Sequence, residues 1–240
     1  MIPPELIDRV RTGDRAALAR LVTAIEAGEA GIEDLGAMTG VGAPARRIGI
    51  TGPPGAGKST LISALIHEFR SRSRSVAVLA VDPSSPLTGG ALLGDRIRMQ
   101  DHVEDDGVYI RSMASRGHLG GLAEAAGATI DLFSKAGFDY VLVETVGVGQ
   151  SEVEVMSLVQ VVVLVVGPGW GDQIQAEKAG VVEIADLFVV NKGDRPGADE
   201  VRMALLGAAG EKGPEVLVTT AATGEGVSTL VDALDRLLAV

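Results

Sequence analysis

An α/β fold, in which a mostly parallel sheet is flanked by helices and preceded by a short N-terminal helical arm, is predicted by three features of the 240-residue chain. Apolar runs rich in Val, Leu and Ile alternate with segments of helical character, which is the pattern of parallel strands covered on both faces. A glycine-rich octapeptide, Gly52–Ser59, stands between such a run and a helix. Polar residues follow several runs, at Asp82, Glu144 and Asn191, and such sheets bind ligands at the carboxyl ends of their strands.

The arm is predicted from the helical character of residues 4–28. Asp14 can cap a helix over residues 16–27 because its carboxylate can accept hydrogen bonds from the first turn. Gly28 stands just past the end of that helix, where a glycine is favoured.

The arm and its linker are assigned to residues 1–45 and the main domain to residues 46–240, because a loose segment over residues 29–46 separates them. The predicted strands of the main domain cover residues 48–50, 76–81, 108–111, 140–143, 161–166, 187–190 and 216–218. The predicted helices cover residues 61–66, 122–136, 173–184 and 227–238.

The composition excludes several classes of protein. The chain has no cysteine, so disulfides, thiolate metal sites and a cysteine nucleophile are excluded. The net charge of −11 and the aromatic content of 3% argue against nucleic acid as a partner. The strongest apolar run, Val161–Val166, is too short to cross a membrane, and the first residues lack the regions of a signal peptide, so a cytoplasmic protein is expected. The basic cluster Arg70, Arg72 and Arg74 is predicted to be a solvated helix end.

The glycine-rich octapeptide matches the phosphate-binding pattern G-x-x-x-x-G-K-[ST] of P-loop NTPases. It reads Gly52-Pro53-Pro54-Gly55-Ala56-Gly57-Lys58-Ser59, and Thr60 follows. Glycines let consecutive backbone N–H groups face one anion, and the start of the following helix adds partial positive charge. Lys58 is therefore expected to reach the β- and γ-phosphates as a catalytic residue, and Ser59 to ligate Mg²⁺.

A second motif indicates which base the nucleotide carries. The run that ends at Val190 leads into Asn191-Lys192-Gly193-Asp194, which matches the N-K-x-D signature of guanine-binding GTPases. Asp194 can accept hydrogen bonds from the N1–H and 2-amino groups of guanine, which adenine cannot supply, and pairing of this kind discriminates strongly. Asn191 is expected to buttress the loops, and Lys192 to cover the base. The segment Thr220, Ala221 and Ala222 resembles the start of a loop that contacts guanine.

Mg²⁺ and the γ-phosphate are expected at the ends of two other strands. Asp82 and Glu144 could hold Mg²⁺ directly or through water, because the ion prefers oxygen ligands. Residues 144–147 occupy the place of the D-x-x-G motif, so the N–H of Gly147 could contact the γ-phosphate. Val148, the next residue, cannot orient the attacking water, so slow hydrolysis without a partner is expected.

Several longer segments closely resemble the MeaB/ArgK family, GTPases that accompany the adenosylcobalamin-dependent enzyme methylmalonyl-CoA mutase. They are residues 82–86, 94–99, 111–122, 143–152, 171–175 and 183–187. The resemblance implies a GTPase that acts as a G-protein chaperone, protecting the mutase and gating the loading of its cobalamin. It also implies that Asp82, Asp95 and Glu144 surround Mg²⁺ and take part in catalysis.

The resemblance further implies which segments respond to nucleotide and partner. Residues 83–99 and 144–155 match the two usual switches of the family, and residues 168–178 match a third mobile segment that answers to the mutase. Within the third segment, Asp172, Gln173 and Lys178 are the polar residues expected to meet the nucleotide or the partner.

The chain departs from the family pattern in three places. Trp170 stands where a small residue is usual, and either packs on a partner or fills a local gap. Gln160 replaces an acidic residue. The chain ends 14 residues after Gly226, whereas relatives carry a further helical extension used for dimerisation, so the expectation of a homodimer stays open.

Three alternative functions remain open from the residues. A nickel- or other metallocentre-insertion GTPase would share the fold, but the three histidines, His67, His102 and His118, are far apart in sequence. An ATP-dependent kinase or transport ATPase conflicts with the guanine motif. A module that holds nucleotide only for structure conflicts with the switch-like segments between Asp82 and Gln150.

Overall fold

A single seven-stranded parallel sheet organises the described part of the computed structural model, which comprises residues 3–31, 33–38, 40, 42–82, 102, 104–114, 119–145, 150–170, 181–210 and 213–239. The strands are β1 (Arg46–Thr51), β2 (Val76–Asp82), β3 (Val108–Ala114), β4 (Tyr140–Thr145), β5 (Val161–Val166), β6 (Leu187–Asn191) and β7 (Glu215–Thr219). Their order across the sheet is β3-β2-β4-β1-β5-β6-β7, and every neighbouring pair is parallel. The predicted α/β fold is confirmed.

Helices cover both faces of this sheet. The helices of the described residues are α1 (Pro4–Arg11), α2 (Arg15–Glu26), α3 (Lys58–Ser71), α4 (Leu119–Lys135), α5 (Gln150–Met156), α6 (Val181–Ile184), α7 (Ala198–Ala209) and α8 (Val227–Leu237). A 3₁₀ turn covers Asp34–Ala37. In this part of the chain, none of them has both the length and the apolar character of a bilayer-spanning segment.

The two faces of the central strands bury different helices. Ile48 and Ile50 of β1 are fully buried in a cluster with α3 and α8. On β4, Leu142 belongs to this same cluster, whereas Val141 and Val143 belong to the cluster of α2, α4 and α5. Side chains thus alternate between two apolar layers, which is why these strands are aliphatic along their whole length.

The arm packs on the second of these layers. Leu21 and Ile25 of α2 share one buried cluster with Phe133 of α4. Asp14 caps α2, because its Oδ1 accepts hydrogen bonds from the backbone N–H groups of Ala16 (2.9 Å) and Ala17 (3.0 Å). The predicted cap is confirmed, and the helix that it starts ends one residue earlier than expected.

The arm also reaches the free edge of β3. The guanidinium of Arg15 donates to the carbonyl oxygen of Val108 at 2.6 Å and to that of Asp105 at 2.9 Å. Further along β3, Arg111 forms an ion pair with Glu26 of α2. The edge strand is therefore covered by side chains of α2.

The helix α5 is seated on β1 by a glycine. A Cβ atom at Gly49 would collide with the sulfur of Met156, and would lie only 2.9 Å from Cγ2 of Val159. Met156, the last residue of α5, is 2% exposed. The absence of a side chain at Gly49 thus lets α5 approach the backbone of β1, three residues before the glycine-rich loop.

The predicted elements differ from the observed ones mainly at their ends. The strand predicted over residues 108–111 extends to Ala114, and the helix predicted over residues 61–66 begins at Lys58. Two helices, α5 and α7, were not predicted. Of the helix predicted over residues 173–184, only residues 181–184 are described, and they form α6. The rest of it lies outside the described residues.

The prediction that Arg70, Arg72 and Arg74 form a solvated helix end is confirmed, since they stand at the end of α3 with side chains that are 30%, 30% and 54% exposed. Arg70 Nε donates to Asp105 Oδ2 at 2.8 Å, and Arg72 contacts Asp232 of α8 at 2.7 Å. Arg74 lies 3.7 Å from the carboxylate that precedes β4. The three arginines therefore connect the end of α3 to three other parts of the chain.

Candidate nucleotide-binding site

The glycine-rich loop lies between β1 and α3, at the carboxyl edge of the sheet. Gly57 has a φ of +94° and immediately precedes α3. A Cβ atom there would collide with the side-chain amide of Asn191, and one at Gly52 would collide with the carbonyl oxygen of Val165. Glycine is therefore required at both positions by the close approach of β5 and β6, in addition to backbone conformation.

The lysine of the loop is folded across it. Lys58 is 7% exposed, and its Nζ donates to the carbonyl oxygens of Gly52 (2.8 Å) and Pro53 (3.1 Å). Lys58 is also the first residue of α3, where N–H groups at the helix start face outward. The ammonium group and the helix start thus converge on the same loop, an arrangement that favours a phosphate.

A hydroxyl and a carboxylate meet behind this loop. Ser59 Oγ donates to Glu144 Oε1 at 2.9 Å, and the two residues are 6% and 2% exposed. Glu144 lies in β4 directly opposite Ile50 of β1, next to the glycine-rich loop that follows β1. Both groups offer hard oxygen atoms beside a phosphate-binding loop, which is the donor chemistry that Mg²⁺ prefers, so the residues fit the predicted ion.

Other predicted residues of the metal and phosphate site are only partly described. Asp82 is the last residue of β2, and its backbone lies opposite Ala114 of β3; its side chain is outside the described part. Because Val81 pairs with Thr145, β2 ends beside β4 at the edge that carries Glu144. Asp95 and Gly147 lie outside the described residues.

Asn191 ties the phosphate loop to the last strand. It ends β6, is 2% exposed, and its Nδ2 donates to the carbonyl oxygens of Ala56 (3.0 Å) and Gly57 (3.4 Å). Its Oδ1 accepts hydrogen bonds from Thr219 Oγ1 (3.2 Å) and from the N–H of Ala221 (3.1 Å). The amide therefore uses both its donor and its acceptor, and the expected buttressing is present.

The rest of the guanine motif forms an exposed turn above β6. Lys192 has a φ of +61°, and its Nζ donates to the carbonyl oxygen of Gly55 at 2.6 Å. The N–H of Gly193 donates to Thr219 O at 3.0 Å, which fixes the turn to β7. Asp194 is exposed, so its carboxylate can reach a ligand from the solvent side.

The loop after β7 lies beside that turn. Thr220 and Ala221 are each 7% exposed, and Ala222 is exposed. The loop is closed by a bridge between Thr220 and Glu225, and by hydrogen bonds from the N–H groups of Thr223 and Gly224 to Thr220 O. Thr60, the last residue predicted at the phosphate site, lies in the first turn of α3.

Two buried threonines at this edge were not predicted. Thr145 Oγ1 donates to Thr51 Oγ1 at 3.1 Å, and both residues are at most 1% exposed. They are the last residues of β4 and β1. A hydroxyl at the end of an otherwise aliphatic strand, just before a glycine-rich loop, is the signal that could have identified them.

The remaining predicted positions fall into two groups. Trp170 is 8% exposed and packs in a cluster with β5, β6 and α7. Of the two alternatives given for it, the structure therefore supports the filling of a local gap. Gln160 Oε1 accepts a hydrogen bond from the N–H of Arg47 at 2.9 Å. The predicted partner residues Asp172, Gln173 and Lys178 lie outside the described residues.

The described histidines lie on or beside α3. His67 is exposed on α3, and His102 Nε2 lies 3.1 Å from Ser63 Oγ of the same helix. His118 lies outside the described part of the chain. Among the residues that the structure describes, no three His, Cys, Asp or Glu side chains group as a metal site.

Comparisons with known proteins agree with this geometry. The family model of the methylmalonyl-CoA mutase-associated GTPase MeaB matches residues 18–240. A protein of Pyrococcus horikoshii named only as a GTPase is 51% identical over 94% of this chain and 74% of its own length. The mouse protein named methylmalonic aciduria type A homolog, mitochondrial, is 36% identical over 95% of this chain and 62% of its own length.

A solved structure is similar throughout the chain. The crystal structure titled LAO/AO transport system kinase superposes with a TM-score of 0.75 at 30% identity, over 99% of this chain and 76% of that one. The fold and the glycine-rich loop define a P-loop NTPase, and the similarity to GTPases shows that the nucleotide it hydrolyses is GTP. The chain belongs to the family of MeaB, the methylmalonyl-CoA mutase-associated GTPases.

Proposed function

We propose that the chain is a Mg²⁺-dependent GTPase that serves in the cytoplasm as the G-protein chaperone of methylmalonyl-CoA mutase or a related adenosylcobalamin-dependent mutase. In this role it protects the mutase and gates the loading of the cobalamin cofactor. The description of the matching family and the name of the mouse relative support the choice of client. The observation that carries the nucleotide chemistry is the joint placement, at one edge of the sheet, of Lys58, the Ser59–Glu144 pair and Asn191.

The glycine-rich loop is proposed to hold the phosphates of GTP and GDP. Its backbone N–H groups and the start of α3 provide the anion site, and Lys58 supplies the balancing charge. The proposed phosphate-binding residues are Gly52, Pro53, Pro54, Gly55, Ala56, Gly57, Lys58, Ser59, Thr60 and Gly147. Lys58 already lies within the loop, so its ammonium group needs only to exchange carbonyl partners for phosphate oxygens.

The guanine base is proposed to bind between two turns. Asp194 pairs with the base edge, the stem of Lys192 covers the base plane, and Asn191 holds the turns together. The loop of Thr220, Ala221 and Ala222 completes this part of the site. Because Asn191 also contacts the carbonyl oxygens of Ala56 and Gly57, the base and phosphate subsites share one side chain.

Ser59 and Glu144, with Asp82 and Asp95, are proposed to hold Mg²⁺. When bound, the ion neutralises charge on the β- and γ-phosphates during hydrolysis. Glu144 is buried at the end of β4, so its carboxylate has little freedom to leave Ser59. This orientation by the strand is what the chain itself contributes to the metal site.

Hydrolysis is proposed to be slow in the isolated protein, because Val148 offers no group that orients water. A rate on the order of 10⁻² per second or less is expected, as for GTPases that need an activating partner for fast hydrolysis. Asp172, Gln173 and Lys178 are proposed as the residues through which the mutase accelerates hydrolysis.

The test combines the protein with purified methylmalonyl-CoA mutase and measures phosphate release. The mutase should raise the rate for the wild type, and replacing Asp172, Gln173 and Lys178 by alanine should abolish this acceleration relative to the variant's own basal rate. A control variant, Asp8→Ala with Arg11→Ala, changes two exposed charged residues of α1 and should keep the full acceleration. A mutase that binds without changing the rate, or a triple variant that is fully stimulated, would refute the assignment of this segment.

A further inference from the structure

We infer that the buried hydroxyl pair of Thr51 and Thr145 is a positioning unit for GTP hydrolysis, which fixes the phosphate loop against the segment that begins at Val146. The inference rests on the GTPase part of the proposed function. It concerns two residues that do not touch the nucleotide and act through the loops that follow them.

The position of the pair is the first reason. Thr51 ends β1 and Gly52 follows as the first residue of the phosphate loop. Thr145 ends β4 and is followed by the segment that contains Gly147, the residue proposed to contact the γ-phosphate. The hydrogen bond between the two hydroxyls, 3.1 Å long, therefore joins β1 and β4 at the last residue of each strand.

The opposite face of β4 is also held by a side-chain hydrogen bond, in this case to α3. Side chains alternate along β4, so Glu144 points with Leu142 toward α3, where its carboxylate accepts from Ser59. Thr145 points with Val143 toward the layer of α4 and α5. The end of β4 is thus held to the α3 side by one hydrogen bond and to β1, on the other side, by a second.

The chemistry of the pair gives the third reason. A buried hydroxyl costs free energy unless it is hydrogen-bonded, and valine has the same shape and a higher preference for strands. Valine at both positions would therefore serve the sheet at least as well as two threonines. Replacing both members of a buried polar pair by apolar groups of like shape is often neutral for stability. Two hydroxyls at this place are better explained by the loops than by the fold.

The consequence for the reaction follows from the distances that hydrolysis demands. The loop and the segment after Thr145 flank the terminal phosphate in the proposed site, and small displacements of groups around a reacting centre have large effects on rate. GDP is held by the loop and the base site, which Asn191 joins independently of the two threonines, so its affinity should be much less sensitive. The pair should therefore affect kcat and leave GDP binding nearly unchanged.

The experiment measures three quantities for each variant: the melting temperature, the Kd of a fluorescent GDP, and kcat for GTP. Thr145→Val, Thr51→Val and the double valine variant should each melt within a few degrees of the wild type and bind GDP within about threefold. Their kcat should fall by about 10-fold or more, the scale expected when a group near the reaction is slightly misplaced. The double variant should be no slower than the slower single variant, because the hydroxyls act as one unit.

Two controls separate this role from a structural one. Thr145→Ser keeps the hydroxyl and should retain most of the wild-type kcat. Thr129→Val removes the hydroxyl of another fully buried threonine, in the middle of α4, which has no hydrogen-bond partner within the described part of the chain. This control should leave kcat unchanged.

Several results would overturn the inference. It fails if the valine variants hydrolyse GTP at the wild-type rate, or if kcat falls only together with melting temperature and GDP affinity. It fails equally if all valine variants are unfolded, since the hydroxyls would then serve the fold. A wild-type protein that does not hydrolyse GTP would instead refute the proposed function itself.

Discussion

Glu144 links the end of β4 to the first turn of α3, where Ser59 lies. It is 2% exposed, it lies opposite Ile50 in the pairing of β1 and β4, and its carboxylate accepts a hydrogen bond from Ser59. Burying a carboxylate in an aliphatic strand costs free energy, which hydrogen bonds and charged partners offset. Its cost is understandable if the residue holds a cation.

Glu144→Gln should therefore abolish hydrolysis while sparing GDP. Glutamine keeps the size and an acceptor oxygen but removes the charge, so kcat should fall by about 100-fold or more, as for the loss of one strong electrostatic contact in a transition state. The Kd of GDP should change much less. Phosphate-release assays and calorimetry measure the two quantities, and Glu215→Gln, at the exposed amino end of β7, is the matched control. Normal turnover by Glu144→Gln would show that the metal assignment is wrong.

Asp194 selects the guanine base in the proposed site, and its substitution should change which nucleotide the protein prefers to bind. Asp194→Asn replaces one acceptor by an amide donor. The affinity for GDP should therefore fall by at least about tenfold, since unpaired groups at such sites are strongly penalised. The affinity for xanthine nucleotides should rise. Calorimetry with GDP, xanthosine diphosphate and ADP measures this. Asp199→Asn, at an exposed position of α7, should leave all three affinities unchanged. Equal binding of ADP and GDP by the wild type would contradict the guanine assignment.

At the scale of elements, the seat of α5 on β1 provides a sensitive test of packing. Gly49→Ala places a methyl group against Met156 and Val159, so the free energy of unfolding should fall by roughly 1–3 kcal/mol, as for overpacked cores. Gly207→Ala is the matched control, because Gly207 lies in α7 with nothing near its missing Cβ. The same substitution there should raise stability by about 1 kcal/mol, the helix preference of alanine over glycine. Urea denaturation measures both, and effects of the same sign would contradict the packing described for Gly49.

Some elements were predictable because local sequence determines them. The all-aliphatic run Val161–Val166 is β5 at the predicted bounds, and Asp14 caps α2 as its position predicts. The helix α7 was missed because it exposes Met203 and Leu206, which blurs the separation of polar and apolar faces. The ion pairs of the arginines at the end of α3 could not be predicted, because their partners are remote in sequence: Asp105 is 35 residues from Arg70.

The candidate site divides in the same way. The phosphate loop and the guanine turn are short consecutive motifs, so their residues could be named from the sequence. The contact of Thr51 with Thr145 spans 94 residues, and that of Asn191 with the loop carbonyl of Ala56 spans 135. Such contacts depend on the strand order, which places β4 beside β1 and brings the end of β6 to the same edge.

At the scale of the whole molecule, two carboxylates make the free energy of unfolding depend on pH. The Arg70 guanidinium lowers the pKa of Asp105, and the N–H of Ala17 at the start of α2 lowers the pKa of Asp14. Both groups bind protons less readily in the folded chain than in the unfolded chain. Their contribution to stability is therefore complete above the ordinary carboxylate pKa of about 4, and is lost as the pH falls through the lower folded value.

Asp105→Asn should consequently reduce the loss of stability as the pH falls below about 4, the range in which a carboxylate of lowered pKa takes up its proton. The variant should be less stable than the wild type at neutral pH, since the charge-assisted contact with Arg70 is gone. Urea denaturation at several pH values measures the slope. Asp106→Asn, at the fully exposed neighbouring position, serves as control, and an unchanged slope in Asp105→Asn would refute the assignment.

The cover that α2 provides over β3 has a consequence for synthesis. A bare edge strand can pair with an edge of another chain, which is a common route to aggregation. Arg15 donates hydrogen bonds to the carbonyl oxygens of Asp105 and Val108, and Glu26 pairs with Arg111. These three partners lie in segments that leave the ribosome well after the arm. The residues of the shield are therefore synthesised before the strand that they protect, so they are already present when β3 joins β2.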